Sequence, residues 1–314
     1  MNEQVEKMMK AIGSVLLGKE ETVELVMIAL MCRGHVLLED VPGTGKTMLA
    51  KSIARTVNGK FSRVQFTPDV LPSDVTGIQF FNPKEQNFEL RPGPVMTNIL
   101  LADEINRATP RTQSSLLEVM EEKQVTIEGT TLPIDPPFIV LATQNPIESQ
   151  GTFPLPEAQM DRFIMQIRVG YPSRDEEKEM MRRYQKAEPI EALEPAFSLE
   201  EIRELQEQVK QVRISEVIED YMLDIILATR SSEFVETGVS PRGTLAFMRA
   251  VQGSAFIQGR DYVIPEDVKK MASVVLSHRL VLSLEGEMSR TKQQILEQVL
   301  HETEVPVEAG AVRE

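Results

Sequence analysis

The amino-acid sequence predicts an α/β protein in which a parallel sheet, covered by helices, is followed by a helical domain. Short apolar strands are expected at Val36–Leu38, Val64–Phe66, Asn98–Leu101 and Phe138–Leu141, and a helix with one apolar side at Thr47–Val57. Short apolar strands that alternate with helices are typical of a parallel sheet buried on both faces. After about residue 172 only helical patterns follow, with Leu, Ile, Val and Met at helical spacing.

Changes in this pattern divide the chain into parts. Residues 1–171 are expected to form the α/β domain, residues 172–285 the helical domain, and residues 286–314 a last helix with a polar tail. Two stretches in the first part, about 77–91 and 124–135, carry apolar residues on both sides of a polar turn. Each is predicted to be a β-hairpin inserted into the α/β core.

Helix starts in the second part are marked by local sequence patterns. Ser173 with Glu176, and Ser198 with Glu201, have the spacing of a capping box, in which the two residues satisfy each other's backbone N–H groups. Pro265 precedes two acidic residues and suits a first helical position. Helices are therefore expected to begin at these three places.

Composition argues against several classes of protein. The 314 residues carry a net charge of −14 and no dense basic cluster, which counts against nucleic-acid binding. Cys32 is the one cysteine, so no disulfide can form within the chain, and a reducing, cytoplasmic location is expected. His35, His278 and His301 are scattered, without zinc-ligand spacing. The longest apolar run, Leu25–Met31, is too short to span a membrane.

The strongest motif follows the first predicted strand and leads into the first predicted helix of the core. Gly43 and Gly45 let the backbone approach a ligand closely, and N–H groups at a helix start can cradle phosphate oxygens. Lys46 would offset phosphate charge and the Thr47 hydroxyl would ligate Mg²⁺. Asp40 stands where this loop, the P-loop, usually has its first glycine, and the alternative is a chance Gly-Lys-Thr in a turn. The predicted nucleotide-binding residues are Val41, Pro42, Gly43, Thr44, Gly45, Lys46, Thr47 and Met48.

Polar residues end two later strands. Asp103 and Glu104 close the strand that begins near Ile99, as expected for the partner of a P-loop. Asp103 would hold Mg²⁺ through water, and Glu104 would orient the attacking water or accept its proton. Asn145 ends the next strand and could contact the γ-phosphate or position the water, although alone it would suggest only an ordinary turn. ATP and Mg²⁺ are the cofactors that this set of residues predicts.

Longer motifs resemble those of the AAA+ ATPases, and specifically the MoxR family. The resemblance rests on Leu100–Ala108, Gln113–Glu122, Ala142–Ile147, Gly151–Phe163 and Ser240–Arg242, and it extends to about residue 285. It implies a P-loop NTPase domain, a three-layer αβα structure with a parallel sheet, followed by an all-α lid.

The resemblance also implies roles for particular residues. Asn145 matches the sensor 1 residue, and Arg242 matches sensor 2, which reaches from the lid onto the nucleotide. Arg162 resembles the arginine finger that contacts the γ-phosphate bound by a neighbouring subunit. The structural alternatives are that Arg162 pairs with Glu157 or Asp161, and that Arg242 caps or decorates a helix.

A finger supplied by a neighbour implies a homo-oligomeric ring, a hexamer by resemblance. Arg107 is a second candidate for contact between subunits, and Gln65 could couple substrate contact to Glu104. The two hairpins resemble the helix-2 insert and the pre-sensor-1 hairpin, elements that face the pore or the substrate in related rings.

The resemblance favours a chaperone-like ATPase that remodels or matures client proteins. Insertion of a metal or cofactor, together with a partner that has a von Willebrand factor A domain, is an example of such a role. The alternatives are a nucleic-acid-remodelling motor, the motor subunit of a metal chelatase such as magnesium chelatase, and a nucleotide-switched scaffold without catalysis. The acidic composition counts against the first of these, and Glu104 counts against the last.

Overall fold

The structure, a computed structural model, describes residues 2–39, 43–145, 151–185 and 188–306. The chain divides into two compact units, one of residues 3–207 and one of residues 208–314 with the first two residues. This division follows contacts within the chain and keeps the segment from residue 172 to residue 207 with the first unit. The domain boundaries after residues 171 and 285 remain predictions from the sequence.

The first unit contains a main sheet of five parallel strands and, within the described residues, two hairpins of two strands each. Its strands are β1 (Val36–Glu39), β2 (Phe61–Gln65), β3 (Gly77–Asn82), β4 (Asn87–Pro92), β5 (Ile99–Asp103), β6 (Gln124–Ile127), β7 (Thr130–Pro133), β8 (Ile139–Gln144) and β9 (Met165–Arg168). The main sheet has the order β2-β5-β8-β1-β9, and every neighbouring pair is parallel. The predicted parallel sheet is confirmed.

Helices cover this sheet. Those of the first unit are α1 (Glu3–Gly13), α2 (Glu20–Met31), α3 (Lys46–Thr56), α4 (Pro72–Thr76), α5 (Pro110–Glu122), α6 (Glu157–Met160) and α7 (Arg174–Tyr184), and α8 (Leu199–Val209) begins in it. Leu116, Leu117 and Met120 of α5 join buried residues of β1, β5 and β8 in one apolar cluster. Helix α3 packs against β5 and β2. Short 3₁₀ helices span Ile105–Arg107 and Pro189–Ala192.

Both inserted hairpins are present. Strands β3 and β4 pair antiparallel from Gly77 opposite Pro92 to Asn82 opposite Asn87. Strands β6 and β7 turn at Glu128 and Gly129, whose φ values of 46° and 84° suit a two-residue hairpin turn. The predicted hairpins are therefore confirmed.

The predicted capping boxes are also present. The Ser173 N–H donates to Glu176 Oε2 at 2.6 Å, and the Glu176 N–H donates to Ser173 Oγ at 3.4 Å. Ser198 and Glu201 exchange equivalent bonds of 2.7 and 3.2 Å.

The second unit consists mainly of helices. They are α9 (Glu216–Ser231), α10 (Pro241–Ile257), α11 (Pro265–Leu276), α12 (Leu284–Ser289) and α13 (Lys292–Glu302), with a 3₁₀ helix at Ser277–Arg279 and a short antiparallel pair β10 (Val235–Thr237) and β11 (Val281–Leu282). Pro265 opens α11 as predicted. The buried carboxylate of Asp267 accepts bonds of 2.6 and 2.7 Å from the Arg260 guanidinium, which joins the start of α11 to the loop after α10.

The Cys32 side chain is buried. Within the described ranges, no group of three or more His, Cys, Asp or Glu side chains is arranged to hold a metal ion. None of the helices in those ranges combines the length and apolar character that a membrane crossing needs.

Candidate nucleotide site

The predicted phosphate loop follows β1 at the carboxyl edge of the sheet. Gly43 and Gly45 have φ values of 88° and 92°, in the left-handed region that strains residues with a Cβ. Gly45 is the N-cap of α3, so Lys46 is the first helical residue, and N–H groups of this first turn lack intrahelical acceptors. Thr44, Thr47 and Met48 lie in the same loop and turn. Asp40, Val41 and Pro42 lie outside the described residues.

The sheet topology brings the predicted site residues to one edge. Strands β1 and β5 both pair in parallel with β8, so the carboxyl ends of all three lie on the same side of the sheet. The loop after β1, the Asp103 end of β5 and the Asn145 end of β8 therefore meet there. The carboxyl edge is where open parallel sheets bind their ligands.

Asp103 is held by hydrogen bonds from two neighbouring strands. The Thr143 hydroxyl, from β8, donates to Asp103 Oδ1 at 2.7 Å. Arg63 Nη2, from β2, donates to Asp103 Oδ2 at 2.6 Å and to Gln65 Oε1 at 2.7 Å. Both carboxylate oxygens are thus engaged, and Gln65, which sequence analysis linked to Glu104, contacts Arg63.

Glu104 has an unusual backbone conformation. Its φ of 58° and ψ of 48° are left-handed, which is uncommon for a residue other than glycine. The Glu104 N–H donates to the Thr143 hydroxyl at 2.8 Å, and Arg107 Nε lies 3.1 Å from Glu104 Oε2. Strained backbones of this kind cluster at functional sites. Arg107, predicted as a contact between subunits, is therefore paired with Glu104 within the chain.

Asn145 directly follows β8 and is buried. Its carbonyl oxygen accepts a bond of 3.3 Å from Asn106 Nδ2, and the Asn106 carbonyl accepts one of 2.6 Å from the Phe153 N–H. The loop after β5 is thereby joined to the end of β8 and to the segment that leads to Arg162. Pro146 and Ile147, which were part of the family resemblance, lie outside the described residues.

The two remaining predicted arginines lie in different units. Arg162 Nε is 3.1 Å from Glu121 Oε2, a close charge contact without the alignment of a hydrogen bond. The alternative partners considered were Glu157 and Asp161, so the observed ion pair with α5 was not foreseen. Arg242 is the second residue of α10 in the second unit, and its approach to a nucleotide remains a prediction.

Two residues that contact Asp103 were not predicted, because they are distant from it in sequence. Arg63 and Thr143 contact Asp103 across 40 positions, and neither belongs to the motif that contains it. Elsewhere in the first unit, the Lys19 ammonium donates to the carbonyls of Val169 and Gly170 at 2.9 and 2.7 Å, fixing the chain where it leaves β9. An alternating strand pattern could have placed Arg63 on the side of Asp103, because the two strands pair in register.

Comparison with known proteins agrees with this arrangement. A family model described as "ATPase family associated with various cellular activities (AAA)" matches residues 35–165, and a model described as "AAA lid domain" matches residues 227–299. A crystal structure of a candidate ATPase from Cytophaga hutchinsonii has a TM-score of 0.91 and 39% identity, covering 98% of this chain and 96% of its own.

Two curated relatives match most of the chain. The uncharacterised protein YeaC of Bacillus subtilis is 47% identical over 308 residues, which are 98% of this chain and 96% of YeaC. Chaperone MoxR1 of Mycobacterium tuberculosis is 41% identical over 301 residues, which are 93% of this chain and 79% of MoxR1. With the parallel sheet, the glycine loop and the acidic strand end, these matches establish that the chain belongs to the MoxR family of AAA+ ATPases.

Proposed function

We propose that the chain is a magnesium-dependent ATP hydrolase that acts as a homo-hexameric ring in the cytoplasm and remodels or matures client proteins. The observation that carries the proposal is the bonded set Asp103–Thr143–Glu104 at the sheet edge that also holds the glycine loop. In this proposal the set would hold a carboxylate and a candidate water-activating residue beside the phosphates.

The residues at this edge suit a nucleotide and its metal. Gly43 and Gly45 supply two loop positions without side chains, and an added Cβ at Gly43 would meet nothing within 4 Å. Lys46 would bind the β- and γ-phosphates, and Thr47 and Asp103 offer the hydroxyl and carboxylate oxygens that Mg²⁺ prefers. When bound, Mg²⁺ would offset the charge of the triphosphate.

Glu104 is the proposed catalytic base. Its backbone N–H is fixed by Thr143, and its carboxylate lies near Arg107. It would accept a proton from the attacking water or orient that water. Asn145 would position the same water or contact the γ-phosphate, and Arg242 would contact the nucleotide from the lid.

Replacement of Glu104 tests the assignment of the base. Glu104→Gln is expected to keep nucleotide binding and to lower the rate of hydrolysis by about 10²-fold or more, because general-base catalysis contributes at least that factor. Glu118→Gln, on the exposed side of α5, is the matched control and should hydrolyse ATP normally. Normal turnover in Glu104→Gln would contradict the assignment.

Arg162 is proposed to complete the site of a neighbouring subunit. Arg162→Ala should bind ATP but hydrolyse it about 10³-fold more slowly, since an arginine finger contributes at least that much. Mixing Arg162→Ala with Glu104→Gln provides the decisive test. Each variant is inactive alone, but in a mixed ring the intact Glu104 of one subunit meets the intact Arg162 of its neighbour. Activity should therefore return on mixing, and its absence would exclude a finger in trans.

The client activity rests on family membership and on a relative named as a chaperone. The hairpin β3–β4 exposes Phe80, Phe81 and Phe88 and supports contact with a protein substrate. Capture from cells with Glu104→Gln should recover client proteins or a partner with a von Willebrand factor A domain. Recovery of nucleic acid instead, or stimulation of ATP hydrolysis by a porphyrin-chelatase partner, would favour the corresponding alternative function.

A further inference from the structure

Arg63 has a direct connection to the proposed magnesium carboxylate. Strands β2 and β5 pair with Gln65 opposite Asp103. Side chains two residues apart on a strand share one side of the sheet, so Arg63 projects on the same side as Gln65. Its Nη2 atom reaches Asp103 Oδ2 at 2.6 Å and Gln65 Oε1 at 2.7 Å.

The contact places the positive charge of Arg63 beside the Asp103 carboxylate, the group that would attract the metal. The charge of a guanidinium group is delocalised over its planar fork of nitrogens. Asp103 Oδ1 is meanwhile oriented by the Thr143 hydroxyl, independently of Arg63. Loss of Arg63 would thus change the charge around Asp103 more than its orientation.

We propose that Arg63 is a positioning residue that competes electrostatically with Mg²⁺ for Asp103 and so sets the magnesium concentration at which the site loads. The inference rests on the proposed function, in which Asp103 holds hydrated Mg²⁺. Gln65 assists by accepting a hydrogen bond from the same nitrogen, which keeps Arg63 over the carboxylate. The Arg63 side chain is 45% exposed and that of Asp103 15% exposed, so water and salt screen part of the repulsion between Arg63 and Mg²⁺.

The test measures binding of a fluorescent ATP analogue during titration with MgCl₂, using the whole chain and no turnover. In Arg63→Gln the half-saturating Mg²⁺ concentration should fall by about fivefold, the effect of one partly screened charge near a divalent ion. Arg63→Lys should stay close to the wild type because it keeps the charge. Arg203→Gln is the matched control. Like Arg63, Arg203 forms an ion pair, in this case with Glu200. Its Nε also donates to the Pro136 carbonyl, which precedes β8 and therefore lies at the opposite edge of the sheet.

A second variant covers the case in which Arg63→Gln does not fold. Gln65→Ala releases one of the two bonds that hold Arg63, so it should shift the half-saturating concentration in the same direction by a smaller factor. Thermal unfolding without nucleotide, measured for each variant, identifies any variant that is not folded.

The possible results separate the two proposals. If folded Arg63→Gln needs as much Mg²⁺ as the wild type, or more, the inference is overturned and the proposed function stays intact. If Arg63→Gln does not fold, the same result in Gln65→Ala has the same meaning. A wild-type chain that binds no nucleotide at any Mg²⁺ concentration would overturn the proposed function and the inference together. A lowered requirement in Arg63→Gln, with Arg203→Gln at the wild-type value, would support the inference.

Discussion

Acidification is expected to destabilise the first unit through one buried side chain, His35. The His35 Nδ1 accepts a bond of 3.0 Å from the Val140 N–H, so the proton of the neutral ring is on Nε2, which donates to the Met120 carbonyl at 3.0 Å. The ring also packs edge-on against Phe138, at 5.4 Å between centroids. Burial lowers the pKa of His35 from 6.5 to about 4, with the Met120 carbonyl acting in the opposite direction and Lys123 lowering it slightly further.

The expected loss of stability follows from this pKa difference. One pKa unit corresponds to about 1.4 kcal/mol, so the shift from 6.5 to about 4 is worth about 3 kcal/mol. Because the folded pKa is below the unfolded one, the unfolded chain takes up the proton first and stability rises with pH. The contribution of neutral His35 is fully present above pH 6.5, is lost as the pH falls towards 4, and changes no further below that. About 2 kcal/mol should be lost by pH 5.

Histidine-selective isotope labelling allows the pKa to be measured directly, because the chain has only three histidines. The signal lost in His35→Asn identifies His35, and its midpoint should lie near pH 4. Urea unfolding of the wild type and the variant at pH 8 and pH 5 then measures the linkage, because the asparagine side chain of the variant cannot titrate. The stability difference between the two proteins should narrow by about 2 kcal/mol at pH 5. A midpoint near 6.5 in the folded protein, or a difference that does not change with pH, would refute the argument.

Two further predictions concern contacts near the site. Thr143→Val removes the hydroxyl that bonds both Asp103 and Glu104. The rate of ATP hydrolysis should therefore fall by about tenfold or more, with little change in nucleotide binding. Thr143→Ser keeps a hydroxyl and should restore the rate. Steady-state kinetics and a nucleotide-binding assay measure the two quantities separately, and an equal loss of hydrolysis and of binding would contradict the prediction. Gly18→Ala should lower stability by about 1–2 kcal/mol, because Gly18 has a φ of 67° and an added Cβ would displace the Glu176 carboxylate from the capping box of α7. Gly13→Ala, where a Cβ meets nothing within 4 Å, should leave the melting temperature unchanged or raise it, and equal effects of the two changes would contradict the argument.

Much of the fold could be predicted because local sequence reports burial. Strands β1, β5 and β8 are buried on both faces and therefore appear as unbroken apolar runs. The edge strand β9 was missed because its buried Met165 and Ile167 alternate with more exposed residues in only four positions. The order β2-β5-β8-β1-β9 depends on contacts between distant segments, and no local pattern encodes it.

The site was predicted only in part, for a related reason. Lys46, Thr47, Asp103 and Glu104 belong to contiguous motifs whose chemistry can be inferred from spacing. The ion pair of Arg162 with α5 depends on how a loop folds back over a helix, so no spacing predicts it. Local sequence therefore proposes candidate reactive groups, whereas the groups that orient them depend on contacts between distant segments.

The Thr143 hydroxyl shows why those orienting groups matter. A hydroxyl has one proton to donate and lone pairs to accept, and Thr143 gives its proton to Asp103 while accepting the Glu104 N–H. Asp103 and Glu104, the proposed metal-binding residue and the proposed base, are adjacent in sequence. One atom on the neighbouring strand nevertheless contacts the carboxylate of the first and the backbone of the second. The left-handed backbone of Glu104 permits this arrangement by turning the chain sharply at the strand end. Any shift of β8 along β5 would therefore disturb both groups at once, which makes the register of these two strands a requirement for the proposed chemistry as well as for the fold.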